Sequence, residues 1–402
     1  MKKPKILILV MSASTEFFRN QIEDCKQTWL SLLDDNNKYK YIIDKYVDTV
    51  DWLYYDTVDE IYNLKTQGNK LLSIDSIYNK KVVVDSKDKH HLQNVLFDDR
   101  WTWQKTVDIF DWLCNDEESE YKDYDYIIRT NTSTYINIIS LVYYLYNEFN
   151  NIKQDIDWSE KYYSVELTAQ PSVINIPKSG DIYGRGNLLV LPMNLVKNVI
   201  LKYGQLHNSD TYNGPDCKIC DDVVIGNILN CYFNDFNTKE PECYNYLNHI
   251  CGLPFAWYKS VNHGYDIKHR WCKDGLASEF TEENIEIYAG ACGIQIKNYN
   301  DRSLESKHYK ELHQYMCDYI YEPIYDEISI LEDDIYNSIK EYTKNPSVFI
   351  LGNIPYIDYN EYIEILKDKE KFHNFEMAVF MYLPIDINNY KYKERLINKY
   401  KN

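Results

Sequence analysis

Two adjacent carboxylates, Asp221 and Asp222, stand at the predicted start of a helix in the segment CDDVVIGNIL. Peptide N–H groups and the helix dipole at such a position favour an ionised carboxylate, whereas the neighbouring Asp keeps that carboxylate basic. A carboxylate in this state can take a proton from a hydroxyl group. The segment therefore offers a candidate general base, but on its own it fits an ordinary capping role for Asp at a helix start better.

Strands that alternate with helices must position this pair. KPKILILVMSAS is an apolar run that ends in small polar residues, which predicts a buried parallel strand leaving the sheet at its carboxyl edge. KVVVDS and YDYIIRT predict further buried strands, and the segments EFFRNQIEDCKQTWLSLL, DRWTWQKTVDIFDWLC and INIISLVYYLYNEF predict helices. The alternation predicts an α/β fold with a mostly parallel, doubly wound sheet, in which ligands bind at the carboxyl edge.

The second half of the chain continues this pattern and then changes. SGDIYGRGNLLVLPMNLVKNVIL predicts a glycine-bearing loop followed by a strand and a helix. DRSLESKHYKELHQYMCDYIY predicts a helix, and SVFILG predicts one strand in the tail. We therefore expect a main domain over residues 1–319 and a C-terminal accessory α/β region over residues 320–402.

Composition excludes some classes of partner. The net charge is −18, and Lys and Arg are scattered among acidic residues. A nucleic-acid binder needs a basic surface that neutralises phosphates, so DNA and RNA are not expected partners. The 40 tyrosines occur with abundant Asn, Ile and Lys and indicate a compositional bias rather than a set of sugar-stacking platforms.

The apolar runs are short. ILILVM is too short for the core of a signal peptide, and no later run reaches the length that spans a bilayer. We expect a soluble, cytoplasmic protein with reduced thiols. Ten cysteines include the pair Cys217 and Cys220, which could form a zinc knuckle with later Cys or His residues, but the second half of such a site lacks a paired spacing.

Five segments follow one another in a recognisable order: ILVMSASTEFFRNQIEDCKQTW, WTWQKT, YDYIIRTNTSTYIN, YGRGNLLVLPMNLVKNVI and DDVVIG. In this order they resemble a strand with Ser, Arg and TW, an NLTxKT helix, a strand with an acidic triplet, a glycine loop and an E/D-D-V-x-x-G segment. These five motifs are those of the fringe and beta-1,3-galactosyltransferase group of inverting glycosyltransferases. The matches span residues 6–226. Beyond residue 226 the resemblance is thin.

The resemblance implies a GT-A-like, Rossmann-like fold and a nucleotide-sugar donor, with a UDP-sugar as the first candidate. The acceptor would be a hydroxyl of a glycan or glycoprotein. Asp222 falls on the family's general base, with Asp221 beside it. The donor-binding positions that carry over from the matched motifs are Ser12, Arg19, Lys105, Asn131, Ser133, Gly184 and Gly186.

The acidic triplet of that family is replaced here by Asn131, Thr132 and Ser133. In the family the last acidic residue of the triplet holds Mn²⁺ and the first contacts the nucleoside. Neutral amide and hydroxyl groups bind a divalent cation far more weakly than carboxylates do. A Mn²⁺ cofactor is therefore doubtful, with Ser133 and His263 as weak candidate ligands, whereas a nucleoside contact by Asn131 is retained.

Fixed cations must replace the metal if none neutralises the leaving diphosphate. Arg19, Lys105 and Arg129 are candidates. The segment GACGIQIKNYNDRSLESKH is similar to segments that close the donor site in related bacterial and viral glycosyltransferases, which adds Lys297 and Arg302. For any one of these cations, a solvated surface charge is the more common case.

Two other functions remain open. The altered triplet is compatible with a catalytically inactive glycosyltransferase-like protein that binds sugars or nucleotides. A nucleotidyltransferase on a similar sheet is the second alternative, but the sequence has neither a glycine-rich phosphate loop followed by Lys nor a paired-carboxylate two-metal site. The NTS pattern at Asn131 also fits N-glycosylation, yet it follows directly on a predicted buried strand, so we read it as chance.

Overall fold

A computed structural model describes most of the first half of the chain and separate parts of the second. The described residues are 2–57, 82–94, 102–117, 119–151, 162–164, 167–169, 182–184, 186–202, 221–233, 250–253, 255–259, 285–298, 301–322, 347–350 and 357–358.

Strands and helices alternate over the described ranges. The strands are β1 (Lys5–Met11), β2 (Thr49–Thr57), β3 (Val82–Val84), β4 (His91–Asn94), β5 (Tyr126–Asn131), β6 (Thr134–Ile136), β7 (Tyr162–Ser164), β8 (Leu167–Ala169), β9 (Ile182–Gly184), β10 (Leu188–Pro192), β11 (Ile250–Gly252), β12 (Phe255–Trp257), β13 (Gly293–Gln295), β14 (Ser347–Ile350) and β15 (Ile357–Asp358). The helices are α1 (Glu16–Gln27), α2 (Lys40–Tyr46), α3 (Thr102–Asn115), α4 (Ile138–Asn151), α5 (Met193–Leu195), α6 (Asp221–Phe233), α7 (Ile285–Gly290) and α8 (Glu305–Met316). Short 3₁₀ helices cover Trp29–Leu33 and Arg302–Leu304, and π-helical turns at Val196–Ile200 and Cys317–Tyr321 extend α5 and α8.

The main sheet has eight strands in the order β11-β7-β10-β5-β1-β2-β4-β3. Strands β5, β1, β2 and β4 run parallel, and β10 runs antiparallel to β5 and β7. The mixed, mostly parallel sheet confirms the α/β fold class, and it is consistent with a GT-A-like arrangement. Because parallel strands end at the same edge, Met11 pairs with both Tyr55 and Asn131, which brings the ends of β1, β2 and β5 together.

Helices cover both faces of this sheet. Alternate residues of β1 point to opposite faces, and five of its seven residues are buried. Ile6, Ile8 and Val10 join a core cluster with α1, α2, α4 and α8, and Leu7 and Leu9 join a second cluster with α3, α5 and α6. The apolar run KILILVM is thus buried on both sides, as expected for a central parallel strand.

Strand β3 departs from the sequence prediction. KVVVDS was expected to be a buried strand, but β3 lies at the edge of the sheet, runs antiparallel to β4, and leaves Val84 38% exposed. Its valines resemble a core strand because β-branched residues favour any strand, whether central or edge. The expected buried strand at this position is therefore corrected to an edge strand.

Two smaller sheets complete the described part. One has the order β12-β13-β6, and the other has the order β15-β14-β8-β9. In the second sheet, the tail strand β14 pairs in parallel with β8 of the predicted main domain. The predicted boundary between residues 319 and 320 lies inside the π-helical turn Cys317–Tyr321, and the division into two domains stays a prediction. Within the described ranges, no helix combines the length and the apolar character needed to cross a lipid bilayer.

Candidate active site

The candidate site lies where β1 and β5 end, beside the start of β10 and the first turn of α6. The side chain of Arg129 projects from β5 on the α6 side of the sheet, next to Met11 of β1. Asp221 and Asp222 form the first turn of α6, and Gly186 precedes β10. The fold therefore brings together four segments that lie far apart in the sequence.

A buried ion pair holds this arrangement. Arg129 Nη2 lies 2.7 Å from Asp221 Oδ1, and both side chains are almost fully buried. Burial alone lowers the pKa of Arg129, but the carboxylates of Asp221 and Asp222 outweigh that effect and raise it above its ordinary value. Removing one partner of such a pair leaves an uncompensated buried charge, which typically costs about 3–5 kcal/mol.

Asp221 is also bound on its other side. Thr106 Oγ1 donates to Asp221 Oδ2 at 2.8 Å, and Tyr55 Oη lies 3.0 Å from Thr106 Oγ1. Since the Thr106 proton goes to Asp221, the Tyr55 hydroxyl donates to Thr106. Burial raises the pKa of Tyr55 to about 12, so it stays protonated and can donate. Asp221 is thus enclosed by α3, β2 and β5, which fits a structural role better than contact with a substrate.

Asp222 has a different environment. It is half-buried in the first turn of α6, where the backbone N–H of Gly186 donates to its Oδ2 at 2.8 Å. This hydrogen bond and the helix N-terminus both favour the ionised carboxylate. Of the two acidic residues, Asp222 is the less buried one.

Gly186 lies between Arg129 and Asp222. Its carbonyl oxygen accepts a hydrogen bond from Arg129 Nη1, while its N–H donates to Asp222. A Cβ built on Gly186 would overlap the Arg129 guanidinium group. The close approach of the backbone to Arg129 is the physical reason for glycine here.

The altered triplet forms a turn that is closed by its own hydrogen bonds. Asn131 Oδ1 accepts from Ser133 N at 3.1 Å, from Ser133 Oγ at 2.9 Å and from Thr134 Oγ1 at 3.0 Å. Gln295 Nε2 in turn donates to Ser133 Oγ at 3.3 Å, and Ser133 is 4% exposed. The oxygens that face the strand end are therefore already used as acceptors within the protein.

These residues do not fit a Mn²⁺ site. An amide oxygen with three donors around it and a buried hydroxyl supply neither charge nor open lone pairs to a divalent cation. Among the described residues, no group of three or more His, Cys, Asp or Glu is arranged to hold a metal ion. The predicted ligand His263 and the zinc candidates Cys217 and Cys220 lie outside the described residues.

Helix α8 and α1 support the turn from the other face of the sheet. Tyr309 Oη donates to the Thr132 carbonyl at 2.8 Å, and Thr132 Oγ1 donates to Gln21 Oε1 at 2.6 Å. Gln21 Nε2 also donates to Glu305, which is fully buried. The turn is thus connected to the C-terminal helix through side chains that the sequence did not single out.

Lys105 and Ser12 are brought together at the end of β1. Lys105 Nζ donates to the Ser12 carbonyl at 2.8 Å, and both residues are buried. The Ser12 N–H donates to the Tyr55 carbonyl at 2.8 Å, so this segment continues the pairing of β1 with β2. Lys105 is therefore placed under the loop that follows β1, at the predicted donor edge.

The other predicted cations have different surroundings. Arg302 forms a two-pronged ion pair with Glu305, at 2.7 Å and 2.9 Å, and its guanidinium lies 4.6 Å from the Phe17 ring centre. Arg19 is exposed on α1, and Lys297 is half-buried after β13. Gly184 ends β9, two residues before Gly186.

A second charged cluster lies on the opposite face of β2 and β4. His91 Nε2 is 2.8 Å from Asp56 Oδ1, and His91 Nδ1 is 3.1 Å from Asp85 Oδ2. The ring stacks on Tyr54 with ring centres 4.4 Å apart. Burial lowers the pKa of His91, but the two carboxylates outweigh burial and raise it above its ordinary value of 6.5. Because both ring nitrogens are engaged, His91 fixes β2 to β4 rather than acting as an acid or a base.

We expect this cluster to make stability depend on pH. A His with a raised pKa in the folded protein contributes fully below its unfolded value of about 6.5, and the contribution is lost as pH rises through the folded value. The melting temperature of His91→Gln should therefore fall furthest below that of the wild type near about pH 6, and the gap should narrow towards about pH 9. Thermal unfolding followed by circular dichroism at several pH values measures the gap. A gap that is the same at every pH would contradict a charged His91.

Comparisons with known proteins add little. No family model matches the chain, and no curated protein matches its sequence. Membership of the fringe and beta-1,3-galactosyltransferase group therefore stays a prediction.

Two solved glycosyltransferase structures are similar to the fold. One is a glycosyltransferase involved in the glycosylation of the major capsid of PBCV-1, which is 9% identical, with a TM-score of 0.33 over 77% of this chain and 100% of that chain. The other is mouse xyloside xylosyltransferase 1 in its apo form, which is 10% identical, with a TM-score of 0.31 over 74% of this chain and 98% of that chain. Both similarities are low.

Proposed function

We propose that the protein is a GT-A-like inverting glycosyltransferase. A nucleotide sugar, with a UDP-sugar as the first candidate, would lie across the carboxyl edge of the main sheet, and a hydroxyl of a glycan or glycoprotein would be the acceptor. Asp222 would take the proton of that hydroxyl as its oxygen attacks the anomeric carbon. The bond from that carbon to the diphosphate oxygen breaks, and the nucleoside diphosphate leaves from the opposite face.

The observation that carries this proposal is the contrast between the two acidic residues. Asp221 is enclosed by Arg129 and Thr106, whereas Asp222 is half-buried and accepts a hydrogen bond from the Gly186 backbone N–H. One carboxylate thus positions the start of α6, and the other can reach a bound molecule. Such a pair serves general-base catalysis better than simple helix capping, which needs only one of them.

The donor would be bound by the ends of β1 and β5 and by the loop before β10. Ser12, Asn131, Ser133 and Gly186 border this region. Asn131 Nδ2 lies 3.3 Å from Asn187 Oδ1, and its Oδ1 is used within the turn. Asn131 Nδ2 also donates to the Gly186 carbonyl at 3.4 Å, so a nucleoside contact by Asn131 would have to replace one of these two long hydrogen bonds.

We propose that the strand-end turn supplies no metal ligand. The charge on the leaving diphosphate would instead meet fixed cations; of the predicted set, Arg19 and Lys297 are less buried than Lys105 and Arg129. Preorganised cations in a water-poor site can stabilise such charge. No catalytic step therefore runs through Mn²⁺ at Asn131 or Ser133.

Chelation should consequently leave transfer intact. With EDTA present, we expect the rate of UDP release to stay within about twofold of the rate in added Mn²⁺, because a neutral, internally hydrogen-bonded turn is a poor site for a divalent cation. Electron paramagnetic resonance of free Mn²⁺ gives a readout without turnover, and adding the protein should leave that signal unchanged. Loss of transfer in EDTA that Mn²⁺ restores would contradict the proposal.

The function itself is tested with a panel of donors. The protein is incubated with UDP-sugars and simple glycan acceptors, and released UDP and the anomeric configuration of the product are measured. A product with inverted configuration supports the proposal. Binding of UDP without release from any donor would favour the alternative, a catalytically inactive glycosyltransferase-like protein that binds nucleotides or sugars.

A further inference from the structure

The contacts around Gly186 form a closed ring of interactions. Arg129 binds Asp221 through Nη2 and the Gly186 carbonyl through Nη1, the Gly186 N–H binds Asp222, and Asp222 follows Asp221 in the chain. One peptide group is thus held on its carbonyl side by a cation and on its amide side by the proposed base. Any movement of the Arg129 head group would be passed to Asp222 through this peptide.

Arginine suits this geometry better than lysine. The guanidinium group is planar and carries several donors in fixed directions, so it can hold a carboxylate and a carbonyl at once. A lysine side chain is shorter, and its ammonium group can keep the charge pair with Asp221. It cannot make directed contacts with both the Asp221 carboxylate and the Gly186 carbonyl. The second contact is what connects the ion pair to Gly186.

Burial separates Arg129 from the proposed donor. Arg129 is 1% exposed, its Nη2 is shared between Asp221 and Met11 Sδ, and its Nη1 is given to Gly186. A side chain placed in this way has little surface left for a diphosphate. Both Nη groups therefore bond within the protein, and Nε is buried without a hydrogen-bond partner among the described residues.

We propose that Arg129 is a positioning residue that orients the Asp222 carboxylate through the Gly186 peptide, and not a ligand of the donor diphosphate. The proposal rests on the proposed function and deepens it. In this proposal, Arg129 on β5 orients the general base. The sequence had instead suggested that Arg129 contacts the donor diphosphate.

Two variants separate positioning from folding. Arg129→Lys keeps a charge opposite Asp221, and the double variant Arg129→Met with Asp221→Asn removes both charges, so that neither leaves a lone buried charge. We expect both proteins to fold. Their kcat should fall about tenfold because the Asp222 carboxylate is no longer correctly oriented. Their KM for the UDP-sugar should stay within about twofold of the wild-type value because donor binding is kept. Arg129→Met alone leaves Asp221 unpaired and is the matched control for folding.

Each alternative role predicts another result. A diphosphate ligand would raise KM for the donor and weaken UDP binding by tenfold or more, with kcat less affected. A purely structural pair would give wild-type kcat in both variants once they fold. Either result would overturn the proposal.

Hydrogen exchange gives a readout that does not depend on turnover. The Gly186 amide should exchange faster in Arg129→Lys than in the wild type, while UDP binding measured by calorimetry stays unchanged. Unchanged exchange at Gly186 would overturn the proposal. If the wild type transferred no sugar from any donor, the proposed function would be wrong. Faster exchange of the Gly186 amide in Arg129→Lys would still support the ring of contacts. The failure of the proposed function can therefore be distinguished from the failure of the positioning role.

Discussion

Replacing Asp222 with asparagine should lower kcat for sugar transfer by about 10²–10⁴-fold, the usual contribution of a general base. The change keeps the size of the side chain, and an amide oxygen can still accept the Gly186 N–H that now binds Asp222 Oδ2 at 2.8 Å. The fold and UDP binding should therefore be nearly unchanged. Steady-state kinetics with the best donor, together with calorimetric UDP binding, measures both quantities.

The control for this variant is Asp35→Asn, which removes one exposed carboxylate before α2 and should leave kcat unchanged. The pH–rate profile adds a second check, because the acid limb of the wild-type profile should disappear in Asp222→Asn. An Asp222→Asn protein that binds UDP and turns over at the wild-type rate would exclude Asp222 as the base.

Replacing Gly186 with alanine should disturb both stability and turnover. The added Cβ would meet the Arg129 guanidinium, which cannot move away easily because Asp221 holds it in a buried ion pair. Overpacking of this kind typically costs about 1–3 kcal/mol. Because the same peptide orients Asp222, a shift of about 1 Å can also lower kcat on the order of a hundredfold. Chemical denaturation and steady-state kinetics measure the two effects.

A double variant tests the cause of that effect. A lysine at position 129 has a slimmer end than arginine, so Gly186→Ala should cost less in an Arg129→Lys background than in the wild type. Residues in direct contact are expected to show such non-additivity. If Gly186→Ala costs the same in both backgrounds, the overlap with Arg129 is not its cause.

Much of the sheet could be predicted from sequence periodicity. Strands β1, β5 and β10 carry apolar residues on both faces, and the helices α1, α3 and α4 have apolar residues at helical spacing. These patterns are local, so a single sequence carries them. The expected start of a helix at Asp221 also agrees with α6.

Strand β2 was not predicted. Its sequence TVDWLYYDT contains Asp51 and Asp56, which are unusual in a strand that is partly buried. Both are satisfied by partners distant in the sequence, because the Tyr124 hydroxyl donates to Asp51 and His91 contacts Asp56. Pairings of this kind depend on the fold, so no local pattern indicates them.

The same distinction applies to the candidate site. The role of Asp222 could be proposed from its motif, but the burial of Arg129 follows from a partner 92 positions away. A charged residue within the apolar strand YDYIIRT was the only signal for it. The ion pair of Arg302 with Glu305 is different, because the spacing of three residues in RSLE could have suggested it.

Because α8 supports the Asn131–Ser133 turn, it limits how short a fragment of this protein can be and still keep the candidate site. The Tyr309 hydroxyl holds the Thr132 carbonyl, and Glu305 holds Gln21, so the turn depends on residues more than 170 positions later in the chain. Tyr309, Leu312 and Tyr321 are also fully buried in the core cluster that contains β1. A fragment cut at residue 226, where the recognisable motifs end, would lose this support, and one that keeps the site must extend at least through Tyr321.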